Sequence, residues 1–176
     1  MTKKTFLLLI LGAFFFNIST AQKVKWYTFT EAVKLNEKEP RKILIDVYTD
    51  WCHWCKVMDD QTFSDAAIAE ILNEKYYPVK FNAERTDEVV FQGRTFKNTG
   101  EGRRPPHELA VAMLNGKLSY PSIVFMNEKN QLITAVPGFQ KPDQMEPLLI
   151  YIHNSLYEQN INFQEYLKNY TSDAKK

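Results

Sequence analysis

The chain has 176 residues, with 22 Lys plus Arg against 21 Asp plus Glu and a formal net charge of +1. That balance gives no support to a nucleic-acid partner. The length suits one domain whose core needs no disulfide staples to fold.

Lys3 and Lys4, an apolar run from Phe6 to Phe16, and Ser19-Thr20-Ala21 before Gln22 have the layout of a cleaved secretory signal peptide over 1–21. Eleven residues are too few to cross a bilayer, which needs about 20. An uncleaved anchor extended through Ile18 is the alternative, and no second span follows. Cleavage near Ala21 removes two lysines and no acids, leaving 22–176 as a single domain with a net charge of −1. Export makes the destination, the periplasm or another exported location, disulfide-permissive.

Thr30 to Glu37 predicts a short amphipathic helix ended before Pro40, and Lys42 to Tyr48 a buried strand rich in β-branched and aromatic residues. A helix is expected from about Cys52 to Gln61. A second, with Ser64 as its N-cap, should reach Asn73, where Ile68, Ile71 and Leu72 share one face. Tyr77 to Asn82 is the next strand. Val89 to Phe96 resembles a small hairpin turning at Gly93, and Pro105-Pro106 is expected to open a short helix through Leu114, closed by Asn115-Gly116. Strands Ser122 to Met126 and Leu132 to Val136 are joined by a turn at Asn127 to Asn130. Helices Pro142 to Tyr157 and Phe163 to Tyr170 complete the order, and 171–176 are polar and expected to fray.

The two cysteines of the chain, Cys52 and Cys55, stand two residues apart directly after the first buried strand. A cysteine at a helix start lies near unpaired N–H groups and the positive end of the dipole, which favours the nucleophilic thiolate. The bland alternative is a structural disulfide, although a loop this short yields only about 2 kcal/mol in the chain-entropy model. Zinc needs three or four ligands, and only Cys52, His53 and Cys55 cluster, with His107 and His153 distant in sequence. Haem attachment needs a histidine where Lys56 stands. No metal and no organic cofactor is therefore expected. Asp46 is the most telling polar residue, because an ionised carboxylate in a buried strand is costly unless its proton or charge is used.

The segment Asp46-Val47-Tyr48-Thr49-Asp50-Trp51-Cys52, then Cys55-Lys56 and Thr62-Phe63-Ser64-Asp65, resembles the C-terminal thioredoxin-like domain of the DsbD family of bacterial transmembrane thiol reductases. Tyr120-Pro121-Ser122 is similar to the cis-proline loop of the thioredoxin superfamily, and Val136-Pro137-Gly138-Phe139 to the glycine turn after its final hairpin. The resemblance covers roughly Lys42 to Ile152, apart from Arg85 to Ser119. It implies an α/β thioredoxin-like fold, a central mixed β-sheet flanked by helices, with an insertion over 85–119 before the cis-proline strand.

The same resemblance implies the roles. Cys52, at the exposed helix end, attacks; Cys55, one turn inward, resolves the mixed disulfide, so the redox-active disulfide is Cys52–Cys55. Asp46 assists proton transfer to and from the buried cysteine, and Asp59 occupies the place of a second acid. Lys80 sits where thioredoxins often keep a lysine near the buried acid. Asp59 as an exposed helix residue and Lys80 as an outward strand residue are the plainer readings. Trp51 and Trp54 are expected to form an apolar collar that a partner docks against, with core packing the alternative for Trp51. A protonated His53 would stabilise the thiolate, unless it is merely a solvated helix-start residue. Pro121 lacks an N–H and leaves the Tyr120 backbone free to pair with an extended substrate segment.

The insertion carries Arg85, Arg94, Lys97, Arg103, Arg104 and Lys117 against Asp87, Glu88, Glu101 and Glu108, a balance of +2. It reads as a solvated excursion in preference to a partner-recognition lobe. The expected function is an exported thiol-disulfide oxidoreductase, more a reductase than an oxidase or isomerase, with a non-catalytic binding module as the rival. Its partners are protein thiols and disulfides and a membrane thiol donor, and a monomer is expected.

Overall fold

The computed structural model describes residues 23–170, so the expected signal peptide and the polar tail both lie outside the described residues. Helices α1 (Phe29–Lys38), α2 (His53–Gln61), α3 (Ala66–Lys75), α4 (Glu108–Met113), α5 (Pro142–His153) and α6 (Phe163–Asn169) surround strands β1 (Lys42–Tyr48), β2 (Tyr76–Asn82), β5 (Ser122–Met126) and β6 (Leu132–Pro137). A separate hairpin pairs β3 (Val89–Phe91) with β4 (Arg94–Phe96). The main sheet has the order β2-β1-β5-β6, with β1 parallel to β2 and antiparallel to β5. This is the mixed α/β architecture that the resemblance implies.

The side-chain period of two along β1 divides the molecule. Ile43, Ile45 and Val47 join Phe29, Val79, Phe81, Leu109 and Met113 in one apolar cluster, under α1, α4 and the small hairpin. Leu44 points the other way and joins Met58, Ile68, Leu72, Phe125, Met145 and Leu149, under α2, α3 and α5. Asp46 shares the parity of Leu44, so its carboxylate falls on the face that α2 covers. β1 is buried on both sides because it is a central strand of a sheet covered by helices on both faces.

Several expectations need correction. Asp65, one residue beyond Ser64, caps α3 by accepting the N–H groups of Ala67 and Ile68, while the Ser64 hydroxyl donates back to the Asp60 carbonyl at the end of α2. Pro105-Pro106 lies before the cap of α4 and does not begin the helix. His107 is the N-cap, its Nδ1 accepting the Leu109 N–H at 3.1 Å while Nε2 contacts the Asp87 carbonyl. Burial holds the His107 pKa below its usual value, consistent with a neutral ring that can accept at Nδ1. The penultimate helix stops at His153, not Tyr157. Ser155 adopts φ 51, and the buried Lys42 ammonium takes the His153 carbonyl, the Ser155 hydroxyl and the Glu128 carboxylate. A 3₁₀ turn, Leu156–Gln159, follows.

The insertion is not a solvated excursion. Val89, Phe96, Leu109, Ala110, Met113 and Leu114 are all buried in the first apolar cluster, because the hairpin and α4 together roof that face of the sheet. The hairpin does turn at Gln92-Gly93, both at positive φ, the geometry that matches the strand twist. Asp65→Ala should cost about 1 kcal/mol in urea unfolding of the oxidised protein and Ser64→Ala at most a few tenths; equal losses would return the cap to Ser64.

Candidate functional site

β1 delivers the chain to the start of α2, where Cys52 is the N-cap residue. Its own N–H donates to the Thr49 carbonyl at 3.1 Å, and its Sγ accepts the Cys55 N–H at 3.1 Å. The first turn of α2 holds no acidic side chain. Backbone N–H and helix dipole therefore both favour negative charge on the Cys52 sulfur once the pair is reduced. Cys52 and Cys55 are joined as a disulfide with a Cα–Cα separation of 5.3 Å. Both are buried, Cys52 at 5% exposure and Cys55 at 2%. The expected exposed position of Cys52 is corrected: with the disulfide formed, both cysteines are buried and the difference between them is small.

Beneath α2, Asp46 on β1 pairs in register with Lys80 on β2, so their side chains meet on one face. Lys80 Nζ donates to Asp46 Oδ2 at 2.6 Å and to Asp59 Oδ1 from α2. One ammonium thus bridges two carboxylates, and Lys80 is no outward strand residue. The Asp59 side chain is 44% exposed, so it is both a surface helix residue and a partner of the buried pair. The Asp46 side chain is fully buried, and its second oxygen has no hydrogen-bond partner among the described residues.

Burial pushes the Asp46 carboxyl up to about 6, partly countered by the charge and hydrogen bond of Lys80 and reinforced by Asp59. Burial works against the Lys80 charge, yet Asp46 and Asp59 hold its pKa above the ordinary lysine value. A 400 Å³ cleft lined by Trp26, Asp59, Phe63, Ser64 and Lys80, among others, gives this group a side opening to solvent.

On the opposite rim the Tyr120–Pro121 peptide bond is cis. The Pro121 carbonyl accepts the Gly138 N–H at 2.8 Å, which fastens the loop to the turn after β6. Trp51 and Trp54 flank the cysteines at 51% and 56% exposure, so Trp51 is not core. Trp51 meets Tyr120 edge-on, ring centroids 6.1 Å apart, and Trp54 meets Phe139 at 5.6 Å. Both tryptophans therefore join the helix start to the cis-proline side. His53 is exposed, its ring 5.7 Å from that of Trp54.

The structure brings together Asp46, Asp59 and Lys80, and separately Trp51 with Tyr120 beside Cys52. Two contributors escaped the sequence reading. Glu84 accepts the Trp51 indole N–H at 2.8 Å, and the Arg104 guanidinium lies over the Trp51 ring at 4.6 Å from its centroid. Neither carries a sequence signal, since an isolated Glu after a strand and an Arg in a loop look like ordinary surface charge. Among the described residues no group of three His, Cys, Asp or Glu side chains suits a metal ion, and no helix is long and apolar enough to cross a membrane.

Comparison with known proteins follows the same lines. The family model Thioredox_DsbH, described as "Protein of unknown function, DUF255", matches residues 12–172. Spermatogenesis-associated protein 20 of Rattus norvegicus is 33% identical over 67 residues, 38% of this chain and 8% of its own length. Thiol:disulfide interchange protein DsbD of Pasteurella multocida (strain Pm70) is 25% identical over 126 residues, 70% of this chain and 19% of its own. The chain thus spans under a fifth of the length of these curated relatives. A thioredoxin from Thermus thermophilus superposes with a TM-score of 0.55 at 16% identity, over 74% of this chain and 88% of that one, which shows the shared fold. The chain belongs to the thioredoxin-like DsbH family, of disulfide oxidoreductase type, with its Cys-x-x-Cys pair at Cys52 and Cys55.

Proposed function

We propose that this chain is an exported thiol-disulfide oxidoreductase that reduces protein disulfides through Cys52 and Cys55. The observation that carries the thiol-disulfide reading, whichever its direction, is the Cys52 sulfur accepting an α2 N–H, with the Asp46–Lys80–Asp59 group under the same helix. In the reduced protein, the Cys52 thiolate attacks one sulfur of a substrate disulfide, forming a mixed disulfide and expelling the other substrate sulfur as a thiolate that takes up a proton. Asp46, ionised above about pH 6, accepts the Cys55 proton. The Cys55 thiolate then attacks Cys52 Sγ, the substrate leaves as a dithiol, and two electrons have passed to it. The protein is left as the Cys52–Cys55 disulfide.

An external dithiol must reverse that last state, and the proposed donor is a membrane thiol protein. The cysteine pair is itself the redox centre, so the cycle needs no metal or organic cofactor. An extended substrate segment lies along the Tyr120 backbone, whose neighbour Pro121 offers no competing N–H. The Lys3-Lys4 and Phe6 to Phe16 layout supports export to the periplasm.

The donor N–H at Cys52 and the acid-free first turn of α2 also favour a strongly oxidising pair, which makes disulfide formation or isomerisation the second reading. Equilibration with glutathione separates them. A potential near about −270 mV, the thioredoxin value, fits reduction, and one near about −120 mV fits oxidation.

Cys55→Ser in the native envelope should accumulate mixed disulfides through Cys52, resolvable by mass spectrometry. Cys52→Ser should abolish insulin reduction; equal inertness of wild type and variant with several donors would sink the catalytic reading.

The pH dependence supplies a further check. In single-turnover measurements with the reduced protein, the resolution step should accelerate as pH rises through about 6, because only ionised Asp46 accepts a proton. Asp46→Asn should remove that limb and slow the step by about 10²-fold. Lys80→Met removes a charge that lowers the Asp46 pKa, so the limb should move to higher pH. A Lys80→Met limb at lower pH contradicts the assignment.

A further inference from the structure

The insertion reaches Trp51, the neighbour of Cys52. Its loop between β4 and α4 is fastened by Asn98, whose Nδ2 donates to the Pro105 carbonyl at 2.8 Å and the Arg85 carbonyl at 3.0 Å, while Oδ1 accepts the Gly100 N–H. The His107 N–H donates to the Ala83 carbonyl at 2.6 Å, which ties the far end of the loop to the end of β2. Between these anchors Arg104 lies over the indole of Trp51, the residue next to Cys52. Glu84 fixes the other side of the same indole by accepting its N–H. Arg104 is exposed and makes no ion pair among the described residues.

A guanidinium held over an aromatic ring by its positive charge still has N–H donors for other partners, and its planar fork matches a carboxylate at two points. Arg103 adds a second exposed cation beside it. The opposing charges at this rim are Glu84, whose Oε1 is committed to Trp51, Asp50, whose Oδ1 accepts from Asn82, and the exposed Glu101 of the same loop. Arg104 is the cation placed by packing directly against the tryptophan beside the attacking sulfur.

We infer that Arg104 is a specificity-determining residue: it selects substrate segments bearing an Asp or Glu close to the reactive cysteine, on the side of the segment that crosses Trp51. The inference rests on the proposed reductase chemistry and names its substrate class. The segment runs along Tyr120, itself in edge contact with Trp51, so its flanking residue passes within the reach of the Arg104 side chain.

The test uses the full mature protein, reduced beforehand, in single-turnover reactions with two disulfide peptides. They differ only in carrying Glu or Lys at the positions flanking the cysteine, and hydroxyethyl disulfide is the uncharged control. Wild type should reduce the Glu peptide about three to five times faster than the Lys peptide at low salt, a preference that shrinks at high salt. Arg104→Glu should invert the ratio. Arg104→Lys should keep only part of it, because the charge stays while the flat fork is lost.

Equal wild-type rates for the two peptides, or an unchanged ratio in Arg104→Glu with native circular dichroism, would overturn the inference and leave the reductase reading intact. Failure of wild type to reduce any of the three disulfides would overturn both.

Discussion

The Asp46–Lys80 pair is the interaction around which the site is arranged. It joins the central strand to the edge of the sheet, and Lys80 carries the connection on to Asp59 of α2, the helix that holds the cysteines. A buried carboxylate with its folded pKa raised from 3.8 to about 6 is a cost to the fold. The native state holds that proton more tightly than the unfolded chain. Stability from this group is therefore present below 3.8 and is lost as pH rises through about 6. On the proposed role of Asp46 as proton acceptor, the site retains a liability that an apolar residue at position 46 would remove. Lys80 limits the penalty, since its charge pulls the carboxyl back toward ionisation while three aromatic rings, of Trp26, Tyr48 and Phe63, shelter it at 5.1 to 5.4 Å.

The rest of the fold holds that group in register with the sulfurs. β1 is covered on both faces, so its parity cannot slip by one residue without sending Asp46 into the opposite cluster. The buried Lys42 at the other end of the same strand ties β1 to the close of α5 and to the β5–β6 turn. Asn36 does the same for α1, donating to the Glu128 carbonyl and the Asn130 side chain and accepting the Arg41 N–H. The start of the strand is thus pinned by buried polar contacts, which specify alignment in a way apolar packing alone does not.

Much of this was legible in the residues, for reasons that differ from element to element. β1 announced itself by an apolar run, rich in β-branched and aromatic residues, with the single polar interruption Asp46, and the cysteine spacing at its end located the helix start. The small hairpin was readable because Gln92-Gly93 has few alternatives to a tight turn. The cap of α3 was missed by one residue, because Ser64 and Asp65 are both good caps and only the competing Asp60 carbonyl decides between them. The insertion was misjudged because its six charged cations and four acids are conspicuous, whereas its buried residues belong to three short elements, none long enough to show a period. The pairing of Trp51 with Glu84 and Arg104 joins residues 33 and 53 positions away, beyond the reach of any local pattern.

The burial of Cys52 carries a consequence for the kind of molecule that can react. Attack on a disulfide is collinear, with the entering and leaving sulfurs on opposite sides of the sulfur that is struck. Under the proposed chemistry, a cysteine only 5% exposed meets that requirement best with a disulfide presented on a narrow, protruding stretch of chain. On the proposed chemistry, the burial of the nucleophile sets a preference for disulfides in proteins still unfinished or locally opened.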